Sequence, residues 1–579
     1  MNIVNGKSIK QSDKWIRRFL WLLCIGAVLV NIKCIFSDFD VDVGYASVMS
    51  YRMLKGDRMF VDMWEPHQTS AALAALFMWI YINVAGTTAG IVVFLNIIGV
   101  LLQGIIAMAL YKVLSSRVEP TIAALISIFF FTFRPKGIVF PEFSNMQIGF
   151  SVLLFLCLLL YFADQSKKHY LIFASVCLCL MILSYPSCLV LYPVVLALLY
   201  IYGQRRFFST VFFSICCFLQ GMCYVLYFAV RIGFDGLFTG IRNLVEADST
   251  HSGSMLGRPG YFSFFNQGCV WLACCLAASL LLTAIIQGVT RKRGKQRQNS
   301  FKGDLLIIFS LLVFFSEIVR SLVYRDRYTY ITVFLLIILL GSFGVKLCDA
   351  MEKQIYVLGM LISAGSFLAT FLLSNLDFLS IAAYLVLAVM VSLIPLGRWL
   401  DKNIASVKKV VKKSLILLFC AMIIMHRGII IKTAGTLGIS LLDLLELRGM
   451  IRSGPPLGIV SYYMGAHEPN TNGREWGQFV FPGDRLLVIG SADVNNIMYL
   501  YTDVEICIHS TISTPTYDEK LLEYWETHPD KFPNVIAVHC QDGKPLIGEE
   551  SWIYQWIQKE FQPAICEEGT FWRFYRLTE

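Results

Sequence analysis

Thirteen stretches of this sequence are long and apolar enough to cross a lipid bilayer, and no other property restricts the fold as strongly. A helix needs about 20 mostly apolar residues to traverse the hydrocarbon core. Runs of that kind fall at 19–36, 88–111, 119–133, 146–163, 170–185, 187–203, 207–230, 266–288, 304–322, 329–345, 354–374, 379–396 and 414–431. With 56% of residues hydrophobic and 15% charged, against about 25% charged in soluble domains, a single water-soluble domain and a disordered chain are both excluded. The apolar stretch after Lys14, Arg17 and Arg18 is of full span length and lacks a small-residue cleavage site, so it reads as a span and not as a signal peptide.

Charge placement sets an expected orientation. With a cytoplasmic N-terminus, the inner loops collect Lys112 and Arg117, Lys167 and Lys168, Arg205 and Arg206, the basic run 291–302, Lys346 and Lys353, and the run 398–413. That places about 25 basic residues inside and about 12 in the outer loops of the membrane half, the bias that orients membrane proteins. The net charge of +9 therefore reads as topology control. A further apolar run, 69–85, would invert the pattern if it spanned, so it is expected to lie at the outer face. An odd number of spans puts the C-terminus outside. The fold class expected is an all-α polytopic membrane domain over 1–431, with a large first outer loop carrying interfacial helices. A small C-terminal α/β extracytoplasmic domain follows over 432–579. Within it, 485–490, 504–508 and 534–538 read as buried strands, and 516–527 and 551–561 as helices. Its tryptophans, Trp525, Trp552, Trp556 and Trp572, read first as core packing and second as sugar-stacking platforms.

Cysteines carry little information. Fourteen lie in the membrane half, where they act as small apolar residues. Cys507, Cys540 and Cys566 form an odd set without metal-ligand spacing. No Walker-type phosphate loop and no His-Glu-x-x-His pattern occurs, which disfavours an ATP-driven pump and a zinc hydrolase of that type.

The first outer loop, residues 37–70, holds the unusual chemistry. Asp38, Asp40 and Asp42 follow the first span, and Tyr45, Met49 and Met53 recur at helical spacing, an amphipathic pattern suited to a membrane surface. Lys55-Gly56-Asp57 ends that helix, and Asp62, Glu65 and His67 follow. Each carboxylate has the plain reading of a solvated loop residue. Together they bracket a helix at the membrane surface, where a carboxylate can take a proton from a bound hydroxyl. Two further outer segments concentrate ionisable groups: Arg134, Lys136 and Glu142 in 134–145, and Arg320, Arg325, Arg327 and Tyr328 before the run 329–345. Ionisable side chains at span ends are costly unless paired or used.

The acidic pair, the Asp42-Val43-Gly44-Tyr45 sequence and the segment Gly56 to His67 with Phe60, Asp62 and Trp64 resemble the glycosyltransferase-C superfamily. That group includes aminoarabinose transferases and protein O-mannosyltransferases. The resemblance implies inverting transfer of a hexosyl or pentosyl group from a polyprenyl-phosphate donor to an envelope acceptor at the outer face of a plasma membrane. It implies Asp42 as the catalytic base, with Asp40 in reserve. Arg325, Arg327, Tyr328 and His67 would contact the donor phosphate, and Asp62, Glu65 and Glu142 the acceptor or sugar. No cofactor is required by a lipid-monophosphate leaving group, although pyrophosphate donors in the superfamily use a divalent ion. Expected partners are the lipid-linked donor, membrane lipid and an envelope acceptor, and no nucleic acid. The alternative is a transporter or flippase of lipid-linked or small substrates. Ionisable groups at the outer ends of spans fit surface chemistry better than a midplane transport site.

Overall fold

The computed structural model describes residues 3–37, 39, 41–65, 67–134, 138–247, 260–292, parts of 305–316, 329–373, 381–403, 449–461, 463–490, 496–511, 519–548, 550–561, 563 and 565–577. Within these, the helices are α1 (Ile3–Ser37), α2 (Val41–Lys55), α3 (Ala71–Ala85), α4 (Ile91–Leu114), α5 (Pro120–Thr132), α6 (Phe143–Ala163), α7 (His169–Ser184), α8 (Leu191–Tyr202), α9 (Arg206–Ala247) and α10 (Gly260–Lys292). Then come α11 (Thr329–Gly344), α12 (Ala350–Leu373), α13 (Val386–Asn403), α14 (Tyr463–Phe479), α15 (Glu519–Thr527) and α16 (Trp552–Trp556).

Helix boundaries follow local chemistry. Pro120 opens α5 at its first turn, where a missing N–H costs nothing. Lys112 sits in the last turn of α4, favourable to the helix dipole. Tyr185, in extended backbone ahead of Pro186, ends α7, as a residue before proline is pushed out of the helical region.

Seven described helices are long and apolar enough to cross a membrane: Arg17–Ser37, Gln68–Ala85, Ile91–Leu114, Phe143–Ala163, Arg206–Leu244, Cys269–Val289 and Ala350–Phe371. Five shorter apolar helices accompany them: Pro120–Thr132, His169–Ser184, Pro186–Tyr202, Phe334–Leu347 and Ala383–Trp399. The expected span at 304–322 is described only in part, and that at 414–431 lies outside the described residues. The run 69–85 forms α3, which packs along α2, with the Ser50 hydroxyl donating to Ala71 O at 3.1 Å.

Two cores divide the chain. One joins α1, α4–α9 and α11–α13, with Phe129, Phe155, Leu178, Leu198, Ile362 and Met390 in its centre. The other belongs to the C-terminal domain and also takes in residues of α2, α3 and the start of α4. The sheet there is built from β3 (Arg485–Ile489), β4 (Glu505–Ile506), β5 (Val535–Gln541), β7 (Ile565–Glu568) and β8 (Trp572–Arg576), in the order β4-β3-β5-β8-β7. β6 (Lys544–Pro545) pairs with β5, and a separate hairpin joins β1 (Gly449–Met450) to β2 (Val460–Ser461). β3 pairs in parallel with both β4 and β5, with Leu486 opposite Val535 and Ile489 opposite Val538. β8 closes on β5 antiparallel. Covered on both faces, β3 and β5 need uninterrupted apolar runs, and Leu486–Ile489 and Val535–Val538 supply them.

The expected strands at 485–490 and 534–538 correspond to β3 and β5. The one expected at 504–508 reduces to two residues, and β7 and β8 add an antiparallel half that the pattern reading omits. Trp525, Trp556 and Trp572 are buried in this core. Trp525 and Trp556 lie 5.1 Å apart, and the Trp572 indole N–H donates to Asn472 Oδ1 at 3.1 Å, so these rings serve packing.

Candidate functional site: the junction of first loop and C-terminal domain

α2 has two buried faces. Tyr45 and Met49, with the partly buried Met53, recur every four residues and so share one face. That face enters the core of the helical bundle. Val43, Ala46, Val48 and Tyr51 enter the core of the C-terminal domain. A helix lying on a membrane surface would leave that second face to solvent. Here the C-terminal domain covers it, which corrects the expectation of a simple interfacial helix. The approach is close: a Cβ on Gly44 would stand 3.2 Å from the Asn496 Cβ, so the sequence has its smallest residue where the two units touch. Each fully buried apolar side chain stabilises by about 1.5–3 kcal/mol, so α2 is firmly held from both sides.

Asp42 occupies the first turn of this helix and is half-buried. A carboxylate there is favoured by the helix dipole. Asp38 and Asp40, and also Lys136, Arg320, Arg325, Arg327 and Tyr328, lie outside the described residues.

The opposite end of α2 is charged and buried. Arg52 is fully buried; its Nε donates to Asp57 Oδ2 at 2.7 Å and its Nη2 to Asp62 O at 2.5 Å. Lys531 of the C-terminal domain donates to Asp57 Oδ1 at 2.6 Å. One carboxylate therefore serves two cations from units far apart in sequence. Ion pairs withdrawn from water hold only when their remaining hydrogen bonds are satisfied. Beside it, Tyr51 donates to Asp503 Oδ1 at 2.9 Å, and Lys55 donates to the same oxygen.

The segment after α2 docks on the C-terminal domain residue by residue. Asp62 accepts the Arg58 backbone N–H at 2.6 Å and its guanidinium at 3.0 and 3.1 Å. Burial alone would raise the Asp62 pKa, but Arg58 outweighs it and holds the carboxyl below its ordinary range. The Trp64 N–H donates to His509 O at 2.9 Å, and Tyr524 donates to Asp62 O at 2.9 Å. Glu65 is fully buried and accepts from Thr511 N at 2.5 Å, Ser510 Oγ at 3.0 Å and Thr511 Oγ1 at 3.0 Å. Burial raises the Glu65 pKa despite these donors and the nearby Arg52. His509, packed against Trp64 with ring centroids 5.1 Å apart, has its pKa lowered to about 3 by burial, then by Arg52 and Lys520.

The loop next turns into the bundle. His67 is buried and stacks on Phe143 at 4.1 Å between ring centroids and on Tyr185 at 4.9 Å. Glu142 caps α6, accepting Ser144 N and Asn145 N at 2.7 Å each, while Arg134 donates to Asn31 Oδ1 at 2.5 Å. Glu142, Ser144, Tyr185 and Tyr384 gather there.

Of the site residues expected from sequence, the structure places Asp62 and Glu65 where the first loop meets the C-terminal domain and His67 and Glu142 where it meets the bundle. The oxygens of Asp62, Glu65 and Glu142 take hydrogen bonds from this chain's own donors, which makes them fasteners of the first loop and of α6. Sequence reading missed Arg52, Asp57, Thr511 and Lys531. The Glu65 and Thr511 partners stand 446 positions apart, and no local pattern marks such a pairing. Among the described residues, no group of three or more His, Cys, Asp or Glu is placed to hold a metal ion.

No protein-family model matches the chain, and no curated protein does. Solved structures of the archaeal oligosaccharyltransferase AglB from Archaeoglobus fulgidus overlap it distantly. The complex with an inhibitory peptide and a dolichol-phosphate is 12% identical, with a TM-score of 0.43 over 91% of this chain and 69% of that one. The complex with zinc and sulfate is 12% identical, with a TM-score of 0.46 over 89% of this chain and 68% of that one. At these scores the likeness assigns neither family nor activity.

Proposed function

We propose that the chain is a membrane glycosyltransferase of the glycosyltransferase-C kind, working at the outer face on a polyprenyl-phosphate-linked sugar. One observation carries the reading. Directly after the first apolar helix, Asp42 stands half-open in the first turn of a helix gripped between two hydrophobic cores. A general base must be held rigidly within reach of the proton it takes, and α2 meets that requirement where the chain leaves the membrane.

In the proposed reaction, Asp42 accepts the proton of an acceptor hydroxyl, and that oxygen bonds to the anomeric carbon. The anomeric carbon–oxygen bond to phosphate breaks, its electron pair leaves with the lipid phosphate, and the configuration inverts. Arg325, Arg327 and Tyr328 are assigned to the departing phosphate, because guanidinium forks match phosphate oxygens and fixed charge aimed at the leaving group lowers the barrier. Asp62 and Glu65 keep the loop seated on the outer domain, and His67 keeps it seated on the bundle. The outer domain, 432–579, acts as the brace for α2.

The test uses purified protein in proteoliposomes, radiolabelled polyprenyl-phosphate sugars and an envelope extract. The reading predicts label covalently joined to an extract component. Label that crosses the bilayer without being transferred would instead establish the transporter.

A further inference from the structure

α9 is too long to be only a membrane span. From Arg206 to Ile232 it rises about 40 Å, already more than the roughly 30 Å hydrocarbon core. At Gly233 the backbone leaves the helical region, with φ 76° and ψ 162°. Only glycine adopts that conformation without strain, and the helix resumes at Phe234 in a new direction.

The resumed segment has three faces. Leu237, Gly240 and Leu244 turn toward the tip of the first loop. Leu237 is buried with Phe60 and Phe228, and Leu244 packs against them. The Phe60 and Phe228 rings meet edge-on at 5.1 Å. A Cβ on Gly240 would lie 2.0 Å from Phe60 O, so the helix rests directly on the loop backbone. Asp235, Thr239, Arg242 and Glu246 make a polar face, and Lys520 of the outer domain donates to Glu246 O at its end. Between these lies a third stripe of Phe234, Phe238 and Ile241, at 55%, 67% and 43% exposure. At 3.6 residues per turn these positions, spaced by four and three, fall on one line roughly a quarter turn from the buried face.

An apolar stripe flanked by a polar face, following a membrane-spanning helix directly after the Gly233 break, has the form of a helix lying in the headgroup boundary. We infer that residues 234–247 form an interfacial helix whose Phe234–Phe238–Ile241 stripe seats in the outer leaflet of the bilayer, and that this seating holds the first loop in place through Phe60. Phe60 is built for such a contact. Its φ of 67° is unusual for a bulky residue, and its N–H is fixed by Gln68 Oε1 at 2.9 Å. The inference does not depend on the transferase reading, since neither its contacts nor its test involves a sugar.

The test places the photocrosslinker benzoylphenylalanine at position 238 or 239 of the full chain in phosphatidylcholine–phosphatidylglycerol vesicles, with adducts identified by mass spectrometry. Lipid adducts several-fold more abundant at 238 than at 239 are expected. Equal lipid labelling at both positions, or adducts to protein at 238, would overturn the seating. Coupling to the loop is read by tryptic cleavage at Lys55 and Arg58 in the same vesicles. Phe238→Glu should speed that cleavage several-fold, and Phe238→Trp, which keeps the apolar surface, should leave it at the wild-type rate. Equal rates in both variants would remove the coupling. If Phe238→Glu does not fold, the crosslinking arm, which keeps an aromatic ring at 238, decides the seating, and Phe234→Glu repeats the cleavage test.

Discussion

Truncating Glu65 to alanine probes how the first loop is attached to the C-terminal domain. The carboxylate takes three hydrogen bonds from Ser510 and Thr511, and Thr511 is fully buried. The two hydroxyls can rotate toward other acceptors, but the Thr511 backbone N–H cannot, and a buried unsatisfied donor costs about 1–3 kcal/mol. Arg52 also loses a nearby anion. Against this, a carboxylate whose pKa is raised by burial has a desolvation penalty that the truncation relieves. The net expectation is a destabilisation of about 2 kcal/mol, which for a unit of this size lowers the melting temperature by about 4–8 °C. Glu65→Gln keeps one acceptor for Thr511 N but turns an N–H₂ group toward the hydroxyls, so it should fall between wild type and alanine. Intrinsic-fluorescence melting of detergent-purified protein measures the shift, and limited proteolysis should release the C-terminal domain faster from Glu65→Ala. Unchanged melting and unchanged proteolysis in that variant would show that the loop is held by something other than this carboxylate.

Other consequences concern the same junction and its neighbours. His509 has a folded pKa of about 3, below its unfolded value near 6.5, so the unfolded chain binds the extra proton between those values. Stability is full above about pH 6.5 and falls as the pH drops, by about 2 kcal/mol at pH 5; melts at pH 7.5 and 5 should show the loss, and His509→Phe should flatten it. Lys531→Met strips Asp57 of one of its two cations while Arg52 still compensates its charge; losing a hydrogen bond to a charged group costs about 1.5–3 kcal/mol, so the variant should melt below wild type, and an unchanged melt would contradict the buried network. Glu142→Ala removes the cap of α6 and should cost about 1 kcal/mol, read as a small drop in melting temperature.

How far the sequence anticipated this architecture varies from element to element. β3 and β5 were legible because strands covered on both faces require runs such as Leu486–Ile489. β7 was not, since all four of its residues are exposed and nothing in their pattern records pairing with β8. α14 contains Pro469 within the helix, against local propensity, and is held by tertiary contact. Tyr45, Met49 and Met53 marked an apolar side of α2 that was expected at the membrane surface, and that side packs into the bundle. The side facing the C-terminal domain had only Gly44 as a sign, because a helix of 3.6 periodicity reports which side is apolar and not what covers it. The acidic residues of the first loop were legible as a cluster, and the Arg58 partner of Asp62 lies within local reach, yet the role of Glu65 as a fastener required Ser510 and Thr511, far away in the chain, to be in place. Gly233 was likewise silent, since an isolated glycine in an apolar run does not declare a break.

The most direct test of the account is the rate of sugar transfer by Asp42→Asn in proteoliposomes, measured beside its melting temperature. Loss of a general base should lower the rate by about 10²–10⁴-fold while the melting temperature stays at the wild-type value. Transfer at the wild-type rate by a correctly folded Asp42→Asn protein would contradict the assignment of the base and, with it, the reading of α2 as the platform of the active site.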